Sequence, residues 1–225
     1  MEKYLRKLQL IELEILNDID VLMTRKNYNK FIEVCKNNLN SKYIIDCYKT
    51  NKKCCFSFMK VKMKNTLYVE SRDYNTSDDN SGIWVDIFPL DGCKKPLSLM
   101  LRVQNRLCMF LRTAITIKNR SNHYNKSKIL KKIYYILIIP FPVRFMSKTL
   151  EKIVSFYDED KVNYLSSFST TYTVKQETYE KKKIFPYNEM QFENRKYMSI
   201  SGYDYFLKRV YGDYMKLPPK EKRVN

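Results

Sequence analysis

The sequence contains very little glycine, histidine and tryptophan. Its 225 residues include four glycines, one histidine and one tryptophan. The histidine, His123, lies in the polar stretch "NRSNHYNKSK", which favours a loop position over a role as general base. Long apolar runs are missing too. The most apolar stretch, "IYYILIIPFPVRFM" at 133–146, contains two prolines and is shorter than the roughly 20 residues that a membrane-spanning helix requires.

Cysteine-pairing motifs are also absent. The six cysteines form no CxxC pair, and the adjacent Cys54 and Cys55 are poorly placed to bridge each other. The N-terminus shows no cleavable leader pattern. We therefore expect reduced thiols in a cytoplasmic protein.

Acidic residues are scarce relative to basic ones. The 42 Lys and Arg against 24 Asp and Glu give a formal net charge of +18 at pH 7. Such a field favours anionic partners, namely nucleic acid, acidic lipid or phosphorylated substrates. Because Lys, Asn, Ile and Tyr are abundant throughout the chain, we expect the charge to be spread out and not concentrated in one stripe. Nucleic-acid binding is the least favoured of these, since no helix-turn-helix, zinc-ligand or aromatic-platform pattern accompanies the charge.

Residues 133–146 have two interpretations. Lysines precede this apolar stretch, and Arg144 and Lys148 lie at its end. A short apolar patch with a basic rim can anchor a protein at an anionic bilayer, which predicts peripheral contact with the inner face of the cell membrane. The alternative is a buried helix end that is broken by proline.

Helical periodicity in the first part of the chain is followed by strand-like alternation. Residues 2–16 and 27–39 have apolar side chains at helical spacing. Residues 54–70 alternate with a period of two around a turn at Lys64–Asn65, which predicts a hairpin. "IWVDIFPLDG" then predicts a strand that is closed by Pro89 and Gly92. These features predict an α+β protein.

The second half of the chain is mainly helical. "SSFSTTYTV" predicts a short strand, and a final helix is expected to begin after Gly202 and to end at Pro218–Pro219. The predicted organisation is one domain over 1–225, with a core at 1–95 and 184–225, a helical lobe at 96–155 and a weakly patterned stretch at 156–183.

The stretch "LNDIDVLM" places two carboxylates one residue apart. On a strand, Asp18 and Asp20 would project to the same side and repel each other unless a cation lay between them. Mg²⁺ suits such a pair because it prefers oxygen ligands. On a helix that continued through residues 2–23, the two side chains would diverge by about 200° and could not share a metal ion. Ordinary solvated acids are the third interpretation.

Asp86 and two lysines carry further candidate chemistry. Asp86 lies inside an apolar run, where a carboxylate is costly unless it is paired or metal-bound. It could also face solvent on an edge strand or pair with a lysine. Lys60 and Lys62 share one strand face and could contact substrate phosphates, or they could form a solvated face. Asp18, Asp20 and Asp86 together would fit one or two divalent ions that hold a phosphate-bearing donor.

Several stretches are distinctive in combination. They are "LQLIELEIL" at 8–16, "DIDVLMTRKNYNKF" at 18–31, "KVKMKNT" at 60–66, "WVDIFPLDG" at 84–92, "FEN" at 192–194 and "YGDYMKLPPKEKR" at 211–223. In this order they resemble the LicD family of bacterial phosphorylcholine transferases, to which fukutin-related proteins are also similar. The resemblance extends across nearly the whole chain, with a divergent middle.

The resemblance implies a nucleotidyltransferase-like fold, a small mixed sheet flanked by helices, here with a helical insert. It implies transfer of phosphocholine or a similar phospho-alcohol from a CDP-linked donor, CDP-choline, to a cell-surface glycan or its lipid-linked precursor in lipopolysaccharide, teichoic acid or capsule. Asp18, Asp20 and Asp86 would be the catalytic carboxylates and would hold one or two Mg²⁺ ions. Asp86 would take the proton of the acceptor hydroxyl, and Lys60 and Lys62 would contact the donor phosphates.

The chain departs from the family pattern at Leu16–Asn17. In the family, a further strand and a Gly-Gly-Thr-like turn separate the first helix from the Asp-Ile-Asp strand. Here no glycine precedes Asp18, so the turn whose backbone N–H groups approach the donor phosphates is missing, together with its hairpin. The departure predicts a new sheet edge and an impaired enzyme. The alternative is a catalytically inactive, truncated relative that acts as a binding protein.

Overall fold

In a computed structural model of the chain, the described residues are 20–51, 54, 56–66, 82–119, 136, 138–170, 172–192 and 194–216. The helix predicted at 2–16, Asp18, the strand predicted after Thr66 and His123 lie outside these residues. Within them the protein is a mixed α+β structure, as the periodicity predicts. No helix in these ranges combines the length and apolar character needed to cross a membrane.

Eight strands and five helices are seen in the described residues. In chain order they are β1 Asp20–Thr24, α1 Arg25–Asn38, β2 Tyr43–Asp46, β3 Met59–Met63, β4 Trp84–Cys93, α2 Leu99–Asn119, α3 Val143–Val154, β5 Tyr164–Ser166, β6 Thr178–Glu180, α4 Lys181–Ile184, β7 Tyr187–Phe192, β8 Arg195–Ile200 and α5 Tyr203–Tyr211.

The main sheet is built around the long strand β4. Its first half pairs antiparallel with β3 on one side and parallel with β1 on the other, and β2 extends the sheet beyond β3. Its last residues pair with β5, which in turn pairs with β6. Strands β7 and β8 form a separate hairpin. Residues 20–23 belong to β1, so the continuous helix considered for residues 2–23 does not extend through them.

One face of the sheet is apolar and is covered by α1. Tyr28, Ile32 and Cys35 recur at helical spacing and are buried, as the predicted helix at 27–39 requires. Beneath them lie alternate residues of the strands, which belong to the same core cluster and include Met59 and Ile87. Since successive strand residues point to opposite faces, the other face carries Asp20, Asp46, Lys60, Lys62 and Asp86.

Strand β4 does not end where the sequence predicts. It continues through Pro89 and Gly92 to Cys93, so the prediction that these residues close it is wrong. The pairing with β3 stops at Ile87 and the pairing with β5 starts at Asp91. Pro89 therefore lies between the two antiparallel ladders, where the missing N–H of proline interrupts neither of them.

The two long helices α2 and α3 pack against each other as an α2–α3 lobe. They run antiparallel, because Gln104 near the start of α2 donates a hydrogen bond to the carbonyl of Ile153 near the end of α3. Lys118 at the other end of α2 donates to the carbonyls of Ile139 and Phe141. A core cluster of Leu101, Cys108, Ile115, Met146 and Leu150 lies between them.

The C-terminal part of the described chain packs on the charged side of the sheet. Val210 and Phe206 of α5 belong to one core cluster with Leu22 of β1 and Leu90 of β4. The helix begins after Gly202, as predicted, where an added Cβ would lie 1.7 Å from the Lys183 carbonyl oxygen. It ends before Gly212, whose φ is 72°, so the predicted end at Pro218–Pro219 is several residues too late.

The segment "SSFSTTYTV" is also different from its prediction. Among the described residues of this segment, which leave out Thr171, only Ser166 belongs to a strand, and β5 begins two residues earlier at Tyr164. The following residues bend instead, and the carbonyls of Phe168, Ser169 and Thr170 all accept hydrogen bonds from Arg112 of α2. This side chain satisfies backbone groups that a strand partner would otherwise have paired.

Candidate functional site

A row of four charged residues crosses the sheet. Asp46 on β2, Lys60 on β3, Asp86 on β4 and Asp20 on β1 are successive Cα partners in the strand register. Directly facing residues of neighbouring strands project to the same side of a sheet. The fold therefore brings Asp20 and Asp86, which are 66 positions apart in the sequence, next to each other.

Asp86 forms a buried ion pair with Lys60. The Lys60 Nζ lies 2.9 Å from Oδ1 and 3.1 Å from Oδ2 of Asp86, and the two side chains are only 6 % and 9 % exposed. The sequence leaves several interpretations of Asp86 open, and one of them is a pair with a lysine. The structure shows this pair. The carboxylate is held in a fixed position, and its negative charge is balanced within the protein.

The second lysine of β3 is paired in the same way. The Lys62 Nζ lies 2.6 Å from Oδ2 of Asp46, and both side chains are buried. Asn51 donates a further hydrogen bond to Oδ1 of Asp46 at 2.9 Å. Lys60 and Lys62 thus share a face, as predicted, but that face is not solvated, because each ammonium group is buried against a carboxylate.

Aromatic rings surround the Lys60 ammonium. Its Nζ lies 4.1 Å from the ring centroid of Trp84, 5.1 Å from that of Phe56 and 5.5 Å from that of Phe58. Phe58 also packs against Phe88 of β4, with ring centroids 4.4 Å apart. The faces of these rings attract the cation and keep water away from its pair with the carboxylate.

Asp20 lies at the exposed start of β1 and close to the end of α5. Its negative charge acts on Tyr211, which belongs to the sequence stretch "YGDYMKLPP". Partial desolvation, the neighbouring Tyr172 and the Asp20 carboxylate together raise the pKa of the Tyr211 hydroxyl, although the side chain is 56 % exposed. The Tyr172 and Tyr211 rings meet edge to face at 5.7 Å. The fold thereby brings together Asp20 and Tyr211, which come from two of the distinctive stretches.

The chemistry of the donor set suits a magnesium ion. Asp20 and Asp86 offer carboxylate oxygens from adjacent strands on one face, and Mg²⁺ prefers oxygen ligands with room for water or phosphate. The part of the chain that the structure describes contains no cluster of three or more acidic, cysteine or histidine side chains that could hold a metal ion. Asp18, the third predicted ligand, lies outside it. The metal and catalytic roles of these residues and the phosphate contacts of Lys60 and Lys62 stay predictions.

A second buried ion pair was not predicted from the sequence. The Arg25 guanidinium donates two hydrogen bonds to Asp91, at 2.7 and 2.8 Å, and the Asp91 side chain is 1 % exposed. The pair fixes the start of α1 to the end of β4. The sequence feature that could have revealed it is Asp91 itself, the second acid of "DIFPLDG", which lies on the same strand as Asp86.

Five of the six cysteines lie in the described residues. Cys35, Cys47, Cys54, Cys93 and Cys108 are free thiols, and all five are buried. Burial raises the pKa of Cys93 and Cys108 to about 12. Such thiols are poor nucleophiles and poor metal ligands, so Cys93 and Cys108 do not form a reactive site.

Comparison with known proteins gives a distant relationship. No family model matches the chain, and no solved structure matches it. Among curated proteins, the lipopolysaccharide cholinephosphotransferase LicD of Haemophilus influenzae is 25 % identical over 217 residues, which cover 91 % of this chain and 76 % of that protein. The chain is therefore similar, over most of its length, to a cholinephosphotransferase, in agreement with the LicD-like resemblance of its motifs.

Proposed function

We propose that the chain is a LicD-like phosphotransferase that moves phosphocholine, or a similar phospho-alcohol, from a CDP-linked donor to a glycan or a lipid-linked glycan precursor. The observation that carries the proposal is the charged row Asp20–Asp86–Lys60, in which two carboxylates from separate motifs meet on one face of the sheet. The similarity to a cholinephosphotransferase supports the choice of the transferred group.

In this proposal the residues of the row act together with Asp18 and Lys62. Asp20 and Asp86, with Asp18, would hold Mg²⁺, which neutralises charge on the donor phosphates when it is bound. Lys60 holds the Asp86 carboxylate in a fixed orientation through their contact at 2.9 Å. Lys60 and Lys62, each paired with a carboxylate, would contact the donor phosphates as the sequence predicts.

The transfer step follows from these positions. The acceptor hydroxyl oxygen forms a bond to the phosphorus of phosphocholine, the bond from that phosphorus to the bridging oxygen breaks, and CMP leaves with the bonding electrons. The hydroxyl proton passes to the Asp86 carboxylate, which acts as general base. The enzyme would work in the cytoplasm, where nucleotide-linked donors are available, and at the inner face of the cell membrane, where a lipid-linked acceptor would be reached.

A second candidate function is that of a catalytically inactive relative that acts as a binding protein for a glycan and does not bind the donor. The observation that favours it is the lack of glycine before Gly82, because no glycine turn can then bring backbone N–H groups to the donor phosphates near β1. In this case the charged row is retained for stability and not for catalysis.

Titration calorimetry with CDP-choline, with and without Mg²⁺, separates the two functions. The informative variant is Asp20→Asn, because Asp20 is exposed and its loss should leave the fold intact. Glu189→Gln, on the separate hairpin, is the matched control. Binding that requires Mg²⁺, persists in the control and is lost in Asp20→Asn supports the transferase. No binding by the parent protein at millimolar donor overturns it in favour of the inactive relative.

A further inference from the structure

The outer surface of α3 combines aromatic and basic side chains. Phe141 and Phe145 stack with ring centroids 6.0 Å apart, and they remain 46 % and 55 % exposed. On the same outward side of the helix, at helical spacing, lie Arg144, Lys148 and Lys152, all exposed. The buried side of the helix carries Met146 and Leu150 instead. The inner side of the helix is thus apolar, as in an ordinary amphipathic helix, but its outer side carries aromatic side chains as well as charged ones.

The cations of α3 converge with two others on a shallow cleft. The cleft has a volume of about 380 Å³, and the residues that line it are Lys36, Tyr48, Lys49, Arg144, Lys148, Glu151 and Lys152. Lys36 contacts Glu33 at 2.8 Å and Lys49 contacts Glu151 at 2.9 Å. Five cations therefore face two carboxylates. Burial, followed by the positive charges nearby, lowers the pKa of Lys49, which is the effect expected where cations crowd together.

Other parts of the lobe also expose apolar side chains. Helix α2, which packs against α3, exposes an apolar stripe at helical spacing along its first three turns. Its members, between 46 % and 73 % exposed, are Leu99, Met100, Val103, Leu107 and Phe110. Ile136 and Ile139, before α3, are 64 % and 52 % exposed. Large exposed apolar areas of this kind mark interaction sites.

The charge of this part of the chain is one-sided. Residues 92–150 contain thirteen Lys or Arg and no Asp or Glu, so this quarter of the chain supplies most of the net charge of +18. The described residues of this stretch carry eight of the thirteen, namely Lys94, Lys95, Arg102, Arg106, Arg112, Lys118, Arg144 and Lys148. A surface that is both apolar and strongly cationic matches a partner that is apolar inside and anionic outside.

We propose that the outer surface of the α2–α3 lobe, centred on Phe141, Phe145 and the basic cleft beside them, docks on an anionic phospholipid bilayer. The rings enter the boundary between headgroups and acyl chains, while the lysine and arginine side chains contact the lipid phosphates. Contacts of both kinds act together, which is what stable peripheral binding requires.

Nucleic acid and protein partners fit this surface less well. A phosphate backbone offers nothing to aliphatic side chains such as Ile136 and Ile139, which remain as exposed as before. The centres of protein interfaces are depleted in lysine, whereas here lysines lie directly beside the apolar side chains. At a bilayer the long lysine stems can extend along the interface and keep their charges at the headgroups.

Vesicle sedimentation with the full chain tests the proposal. The vesicles contain either phosphatidylcholine alone or phosphatidylcholine with phosphatidylglycerol, at low and at high salt. The charge variant removes three cations of the cleft: Arg144→Gln, Lys148→Gln and Lys152→Gln. Its matched control removes three exposed cations elsewhere: Lys196→Gln, Lys208→Gln and Lys216→Gln. We expect binding to the acidic vesicles only, weakened by about fivefold per cation of the cleft and therefore on the order of a hundredfold in the triple variant.

The apolar contact is tested separately. Phe141→Ser with Phe145→Ser should weaken vesicle binding by roughly tenfold per ring, whereas Tyr197→Ser with Met198→Ser, on the separate hairpin, should leave it unchanged. A tryptophan at position 145, introduced as Phe145→Trp, should shift its fluorescence to the blue when acidic vesicles are added. Circular dichroism of each variant checks that the helices are retained.

Three results would overturn the proposal. The first is no binding of the parent protein to acidic vesicles at low salt. The second is equal weakening in the charge variant and its control, which would mean that only net charge matters. The third is displacement by heparin, a soluble polyanion, combined with unchanged binding of the Phe141→Ser/Phe145→Ser variant, which would indicate a polyanion site. None of these results depends on whether the charged row is catalytic.

Discussion

The buried pair Lys60–Asp86 gives the sharpest test of the structure. At a separation of 2.9 Å, the Coulomb attraction is about 6 kcal/mol for an effective dielectric constant near 20. The side chains are 6 % and 9 % exposed, so removing both charges from water costs several kcal/mol per ion and offsets most of this gain. The intact pair therefore contributes little to the free energy of unfolding, but loss of either partner leaves the other charge buried and unbalanced.

We expect Asp86→Asn to destabilise the protein by about 3–5 kcal/mol, because it leaves the Lys60 ammonium buried without its counter-charge. For a chain of this size, that corresponds to a fall in the melting temperature of roughly 6–20 °C. Lys60→Met combined with Asp86→Leu should recover most of the loss, since both charges are then absent and the aromatic rings around Lys60 can pack against methionine. Urea and thermal denaturation, followed by circular dichroism, measure these changes.

The control is Glu189→Gln, which breaks a solvent-exposed contact with Lys196 at 3.2 Å and should not move the denaturation midpoint measurably. The reasoning is refuted if Asp86→Asn behaves like this control. It is also refuted if the double variant loses as much stability as Lys60→Met alone and Asp86→Leu alone lose in sum. Such independent effects would mean that the residues do not form a coupled pair.

Three further predictions follow from other buried groups. Arg25→Lys should destabilise the protein by about 1–3 kcal/mol, because lysine cannot make both hydrogen bonds to Asp91; an unchanged urea midpoint would contradict this. Burial and a neighbouring carboxylate raise the pKa of Tyr179, so the neutral phenol is favoured in the fold. Stability should then fall as the pH rises above the unfolded value of about 10, and less so in Tyr179→Phe; equal alkaline unfolding of both proteins would count against it. Because burial raises the pKa of Cys93 and Cys108 to about 12, iodoacetamide should label neither in the native protein and both in urea, and mass spectrometry identifies the labelled sites.

Elements with a strong apolar period were predictable. The helix around Tyr28 and Ile32, the β3 alternation and the long helices of the lobe all follow from local spacing, because each buries one continuous face. Element ends were less predictable. Pro89 and Gly92 usually interrupt strands, yet here Pro89 lies between the two antiparallel ladders and Gly92 is paired with Leu165 of β5, which depends on where β3 and β5 lie along β4.

The sequence predicted which residues belong to the candidate site, but it did not predict which of them contact each other. Asp86 and Lys60 were identified because charged side chains among apolar neighbours must be paired or functional. Their pairing with each other, and that of Lys62 with Asp46, depends on strand register, which no local pattern gives. Arg25 and Asp91 were missed as a pair for the same reason, since the two residues lie on different elements 66 positions apart.

The sequence by itself determined the α+β class, the excess of positive charge, the reduced cysteines and the motifs that resemble the LicD family. These depend on composition and on side chains a few positions apart. The tertiary structure decided that Asp20 lies beside Asp86, that both lysines of β3 are buried against carboxylates, and that the aromatic and basic residues of α3 share one outer surface. The physical reason is that a charge buried in a protein takes its properties from whatever packs against it, and those neighbours come from distant parts of the chain.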